Sequence, residues 1–434
     1  MKVLMASTPA TGHLNPLIAI TTFLIEDGHE VLFLSGTACR RRIEQSKATF
    51  HALPGEADVD LRDLPSVAPE LRSIEPGLDW LRVALEKIFV DKVSDQYKGL
   101  QEVLRDFPAD AIIGDDMFFG LIPMLLGARV NRPAVLVCGT SILHWRREDK
   151  APVFVGLPPA VTPAQFKEYE GIAKEYDERV DRPTLNRLNI VLKDLGVGRL
   201  TIPLFEATVA FADTYLQLSV PGFEFPRAMP SAVNFIGALP IIPGQAHLPS
   251  WANDLDGKRK VVLVTQGTVA NHDFGLLIGP TLVALADEPD ILVVATAGGR
   301  SIDAIPDPIP YNARLAEYLP FEWLLPKVDV LVTNGGYGSV NQALSFGIPI
   351  IAAGLTEDKA DVNARIAWSG AGIDLKTNNP TREAIRTAVR TALDTPDCRR
   401  HAQRLAAEFA TFDAKAETLR LLRQHERALK SRAA

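Results

Sequence analysis

Residues Thr333 to Lys359 read TNGGYGSVNQALSFGIPIIAAGLTEDK. An apolar run, Val330 to Val332, feeds a glycine cluster, and Ser339 then opens a short helical pattern that Gly347 and Pro349 close. A strand therefore delivers a loop into a helix start. Gly335, Gly336 and Gly338 allow close approach of the backbone to a ligand. The unpaired amides at the helix head, with the positive end of its dipole, suit a phosphate. A tight turn without a ligand is the simpler reading of the same glycines, so the surrounding chain has to decide.

Working outward, the strand to Thr333 is one of a series. Val261 to Thr265 is an apolar strand, followed by a loop from Gln266 to Asn271, a helix to Ala286, a strand from Ile291 to Ala295 and a loop with Gly298 and Gly299. Tyr318 to Pro320 leads into the strand before Thr333, and strand and helix patterns continue to about Ala410, with a last Arg-, Leu- and Ala-rich helix beyond. This alternation implies an α/β, doubly wound, Rossmann-like unit.

The chain opens the same way. Lys2 to Ala6 is a short strand, STPATGH a loop, Asn15 and Pro16 a cap and first helical position, and Glu30 to Ser35 a second strand. The loop lacks G-x-G-x-x-G spacing, which argues against a nicotinamide enzyme. Trp80 to Phe107 reads as one long amphipathic helix. Buried strands at Ala109 to Gly114 and Ala134 to Cys138 end at Asp115 and Asp116 and at Gly139 and Thr140. Ligands collect at the carboxyl ends of strands in such sheets, so both ends are candidates. The irregular stretch from 141 to 200, with His144 and Trp145, is a candidate pocket wall or lid. The expected division is a first Rossmann-like domain over 1–235, a Pro- and Gly-rich linker over 236–260, a second over 261–410, and a terminal helix over 411–434 that packs back on the first.

The 434 residues are 47% hydrophobic and 23% charged, as in an ordinary globular protein, and suffice for about two or three domains. Net charge is −7, which points away from a nucleic-acid partner. Cys39, Cys138 and Cys398 are widely spaced and read as reduced thiols. Neither a signal peptide nor a transmembrane run is apparent; Asp115, Asp116 and Pro123 break the best apolar stretch. The expectation is a cytoplasmic protein. Asp254 and Asp256 form a D-x-D beside Gly257, read as a surface turn with no metal implied.

Three places together carry a resemblance: Gly12 to Pro16 (GHLNP), Gly267 with Thr268, and the Thr333 to Lys359 unit. In this order along nearly the whole chain they resemble the nucleotide-sugar-dependent glycosyltransferases of family 1, of GT-B architecture, with the microbial macrolide and natural-product branch most similar. The resemblance implies two Rossmann-like domains facing across a cleft, with His13 as the general base on an acceptor hydroxyl. From its position alone, after the first strand and before the first helix, a histidine is more often a cap or surface group than a base. Asp115 would support His13, with Asp116 the fallback.

On the donor side the resemblance implies donor binding by Gly267 and Thr268, assigns Gly336, Gly338 and Ser339 to the phosphates, Tyr318 to the base with Phe321 in the following P-Q pair, Gln342 to the ribose, and Asp358 and Lys359 to the sugar. Asn334 stands where the family has a phosphate-contacting histidine, Gln342 where it has a glutamate, and Lys359 where it has a glutamine. His144 and Trp145 are the acceptor-side candidates. The implied reaction is inverting transfer from a UDP-glucose-like donor to a hydroxyl of a hydrophobic small molecule, with no cofactor beyond the nucleotide sugar. A dTDP-deoxysugar donor, or a nucleotide-sugar-binding homologue without transfer activity, is the alternative.

Overall fold

A computed structural model describes residues 1–241, 248–268 and 271–433. Residues 242–247, in the middle of the expected linker, lie outside the described residues. Among the described residues thirteen strands form two sheets, and every recorded pairing is parallel. The first sheet holds β1 (Lys2–Ala6), β2 (Glu30–Ser35), β3 (Thr49–Ala52), β4 (Ala111–Asp115), β5 (Ala134–Gly139), β6 (Thr214–Gln217) and β7 (Val233–Phe235). The second holds β8 (Lys260–Thr265), β9 (Ile291–Thr296), β10 (Ala313–Ala316), β11 (Val330–Thr333), β12 (Ile350–Ala352) and β13 (Gly372–Asp374).

The central strands AIIGD, AVLVCG, ILVVAT and VLVT are buried along their whole length. Helices cover both faces of a parallel sheet, so its strands are continuous β-branched apolar runs with no polar alternation. Strand order is β3-β2-β1-β4-β5-β6-β7 in the first sheet and β10-β9-β8-β11-β12-β13 in the second. In each, the order reverses between two central strands, β1 and β4 or β8 and β11. The connections leave these pairs in opposite directions and open a crevice at their carboxyl ends.

Helix boundaries differ from the sequence expectation at three places. The first helix spans Thr11–Glu26, so Asn15 and Pro16 lie inside it and His13 occupies its first turn. Asn15 instead accepts a hydrogen bond from Arg42. The helix after the glycines starts at Tyr337, with Gly336 as N-cap, two residues before Ser339. The expected long helix from Trp80 is broken into Leu78–Ala84 and Val93–Asp106 by a widened turn at Leu85–Phe89 and a tight one at Val90–Lys92.

The terminal helix Ala414–Ala433 crosses back to the first helix, where Lys415 pairs with Glu26 at 2.5 Å and Arg423 with Asp27 at 2.7 Å. Among the described residues no helix is long and apolar enough to cross a membrane. Cys39, Cys138 and Cys398 are free thiols.

Candidate active site

The reversal between β1 and β4 places His13 beside the two aspartates. Ala6 pairs with Gly114, so the residues just past each strand end meet. His13 Nδ1 is 3.1 Å from Asp115 Oδ1 and 3.8 Å from Asp116 Oδ1. Asp115 is fully buried, and its carboxylate accepts from the Thr8 amide at 2.6 Å, the Thr8 hydroxyl at 3.0 Å and the Met117 amide at 3.0 Å. Those donors fix the carboxylate plane, so the oxygen nearest His13 is held in place.

Thr140, at the end of β5, brings its hydroxyl to 2.7 Å from His13 Nδ1 and donates to Asp116 Oδ1 at 2.7 Å. Burial lowers the His13 pKa, but Asp115 opposes it most strongly, then Asp116 and Asp358, and together they push it up to about 9. With Nδ1 engaged, Nε2 is the ring nitrogen left for a substrate, and the side chain keeps 20% exposure. His13, Asp115 and Asp116 are also the cluster whose ligand atoms are close enough for a metal ion. Their oxygens already accept from Thr8, Met117 and Thr140, which favours a hydrogen-bonded acid–base set.

The second sheet contributes from the opposite side. Asp358, the N-cap of the helix Lys359–Ser369, accepts from the Ser141 hydroxyl at 2.5 Å. Burial holds its carboxyl above the usual range against that hydrogen bond and the nearby His144 and His13. Two further residues of that helix bind the first half: Asp361 accepts from the Phe154 and Gly156 amides, and Arg365 reaches Glu224. Their spacing of three and four residues puts all three on one helical face.

The remaining donor-side candidates lie on the loops and helix starts that follow β8, β10, β11 and β12. Gly267 and Gly298 touch, since a side chain on Gly298 would lie 2.1 Å from the Gly267 carbonyl; Thr268 is exposed. Tyr318 is 56% exposed, with its ring against Gly299, where a Cβ would approach to 3.2 Å at φ +91. Phe321 instead packs against the apolar core, which leaves Tyr318 as the available ring.

Asn334 is buried and donates to the Gln266 carbonyl at 2.8 Å, so one of its two N–H bonds is committed to the protein. Gly336, Ser339 and Gln342 are half-buried and Gly338 is exposed along the head of the helix Tyr337–Ser345. Lys359 is buried, paired with Glu357, and burial drops its pKa to about 8.

The two acceptor-side candidates separate. His144 is buried, 3.6 Å from Asp116 Oδ2, and its ring packs at a tilt against Phe154 and Phe205 at ring distances of 5.6 and 4.8 Å. Trp145 is held away by its indole, which donates to the Ala228 carbonyl at 3.0 Å; its ring lines a groove with Met229 and Pro230. Asp254 pairs with Arg314 and Asp256 with Lys258. Thr8, Ser141 and Asp361 join the site without having been singled out in the sequence, and Thr140, marked there only as a strand end, joins it too.

A family model for the C-terminal domain of erythromycin biosynthesis protein CIII-like proteins matches residues 281–423. The 4'-demethylrebeccamycin synthase of Lentzea aerocolonigenes is 37% identical over 426 residues, 97% of this chain and 98% of that protein. The chain belongs to the family 1 natural-product glycosyltransferases. UDP-glucosyltransferase B1 of Starmerella bombicola is a second relative of this glycosyltransferase, 33% identical over 94% of this chain and 95% of its own.

Among solved structures, the glycotransferase of kitacinnamycin and the calicheamicin glycosyltransferase CalG4 each match with a TM-score of 0.73, covering 98% of both chains. At 18% identity these share the GT-B fold, two parallel sheets with flanking helices.

Proposed function

We propose that this glycosyltransferase moves a sugar from a nucleotide sugar to a hydroxyl of a hydrophobic small molecule with inversion at the anomeric carbon. The observation that carries the reading is the His13 Nδ1 to Asp115 Oδ1 contact of 3.1 Å, with Asp358 of the opposite sheet tied to Ser141 close by. His13 Nε2 takes the acceptor proton, Asp115 stabilises the resulting imidazolium, and the acceptor oxygen attacks the anomeric carbon opposite the leaving diphosphate. The amides from Gly336 to Ser339 and Asn334 stabilise that diphosphate. Tyr318 stacks the base, Gln342 holds the ribose, and Asp358 with Lys359 holds the sugar hydroxyls. Residues 1–235 would then be the acceptor domain and 261–410 the donor domain, joined through 236–260.

UDP-glucose is the first donor to test, since the Starmerella relative is named a UDP-glucosyltransferase. A dTDP sugar is the second, because the structural neighbour VinC was solved with dTDP. Thermal shift with UDP-, dTDP- and sugar-linked forms of each separates them, since a ligand that binds the fold raises its melting point. An acceptor panel of phenols, indoles and macrolides with the best donor follows. Stabilisation by one nucleotide sugar and release of a β-glycoside is the expected result. No stabilisation by any of them, or donor hydrolysis as the sole reaction, would overturn the reading.

A further inference from the structure

His13 has a second carboxylate within reach, Asp116, and a hydroxyl set between them. Thr140 Oγ1 is 2.7 Å from both His13 Nδ1 and Asp116 Oδ1, and the Thr140 amide also donates to Asp116 Oδ1 at 3.2 Å. A hydroxyl has one proton. Asp116 is fully buried, with its pKa held below the usual carboxylate range: burial opposes this, and His144, His13 and Thr140 outweigh it. As a carboxylate it can only accept, so the Thr140 proton goes to Asp116 and the oxygen's lone pair faces His13. The reverse orientation would leave an Nδ1 lone pair 3.1 Å from Asp115 Oδ1, which is repulsive.

We propose that Thr140 and Asp116 form a second arm on His13, parallel to the direct contact from Asp115, and that this arm fixes the Nδ1–H tautomer and the ring orientation. They are positioning residues, and the proposal rests on the reading of His13 as the base. Three strands converge to build the set, from the ends of β1, β4 and β5. Behind it, His144 lies 3.6 Å from Asp116 Oδ2, an oxygen without a hydrogen-bond partner among the described residues. His144 thus faces the arm's carboxylate from the side opposite Thr140. The charged or titratable groups facing His13 itself are Asp115, Asp116 and Asp358.

The test needs no substrate. Full-length protein carrying 15N-histidine is titrated by NMR, with the His13 signal assigned by its loss in His13→Ala. The neutral ring is expected as the Nδ1–H form. Thr140→Val removes one acceptor and should lower the His13 pKa by about one unit, whereas Thr140→Ser, which keeps the hydroxyl, should leave it near wild type and guards against misfolding. Asp116→Asn should lower it too, and by less in the Thr140→Val background than in wild type, because both changes break one arm.

A His13 titration unmoved by Thr140→Val, or an Asp116→Asn shift of equal size in both backgrounds, would overturn the arm. Full turnover by His13→Ala would remove the base reading and leave the arm standing. An inactive His13→Ala with an unmoved titration in Thr140→Val would remove the arm alone.

Discussion

Arg365 donates through Nε and Nη2 to one oxygen of Glu224, at 2.9 and 2.6 Å, and both side chains are buried. The same carboxylate accepts from the Leu143 and Phe225 amides and from Arg227. Burial raises the Glu224 pKa, but Arg365 and Arg227 outweigh it and hold the group ionised. A helix of the second half is thereby bolted to the loop that carries His144.

Arg365→Met leaves that carboxylate short of its strongest partner in a dry site. A loss of about 3–5 kcal/mol is expected, since breaking a buried pair strands a charge. Differential scanning calorimetry should show a lower melting point in the variant, and an unchanged one would contradict the pairing.

The His13 pKa of about 9 predicts an acid limb in the rate. A base works only when deprotonated, so kcat/KM should climb with pH through neutrality and level off near pH 9. Asp115→Asn removes the largest influence raising that pKa and should move the limb to lower pH. The linked stability has the opposite sense: a pKa raised in the folded state stabilises fully below the unfolded value of about 6.5 and loses that stabilisation as pH rises through 9. The melting-point difference between wild type and His13→Gln should therefore shrink from pH 6 to pH 10.

Lys359 is buried with its pKa lowered to about 8. With its ammonium on the donor's sugar, donor affinity weakens as pH rises through that value, and calorimetric titration with UDP-glucose reads this directly. Lys359→Met should weaken UDP-glucose binding by about tenfold and flatten its pH dependence around 8, within the usual size of a charge-assisted contact. Equal affinity in the two proteins would place the lysine outside the donor site.

Gly299 combines a left-handed φ of +91 with the ring of Tyr318 only 3.2 Å from where a Cβ would sit. Gly299→Ala therefore strains the loop and displaces the ring. Donor KM should rise several-fold while acceptor KM stays near wild type. A change confined to the acceptor would contradict Tyr318 as the base platform.

Most of the sheet scaffold is legible in the sequence because buried parallel strands are apolar runs: Ile291 to Ala295 and Val330 to Val332 announce themselves. Short strands with less apolar sequence, such as Val233–Phe235, do not. The first helix is misplaced by five residues because Asn15 and Pro16 imitate a helix start, while the true N-cap, Ala10, has no polar side chain to signal it. Its Pro16 lacks an N–H for the Gly12 carbonyl, and tertiary packing overrides that local cost.

His13 and Asp115 were legible as strand-end groups joined by resemblance. Thr140 was visible only as a strand end, since its role depends on β4 lying between β1 and β5. Asp361 and Arg365 carry a readable signal in their spacing from Asp358, one face of one helix, but nothing local shows that this face meets the other half of the chain.

The most direct measurement is turnover and donor binding by His13→Ala, compared with wild type under one donor and one acceptor. Removal of a general base predicts a loss of at least about a hundredfold in kcat with nucleotide-sugar affinity retained. Wild-type turnover in that variant would contradict His13 as the base.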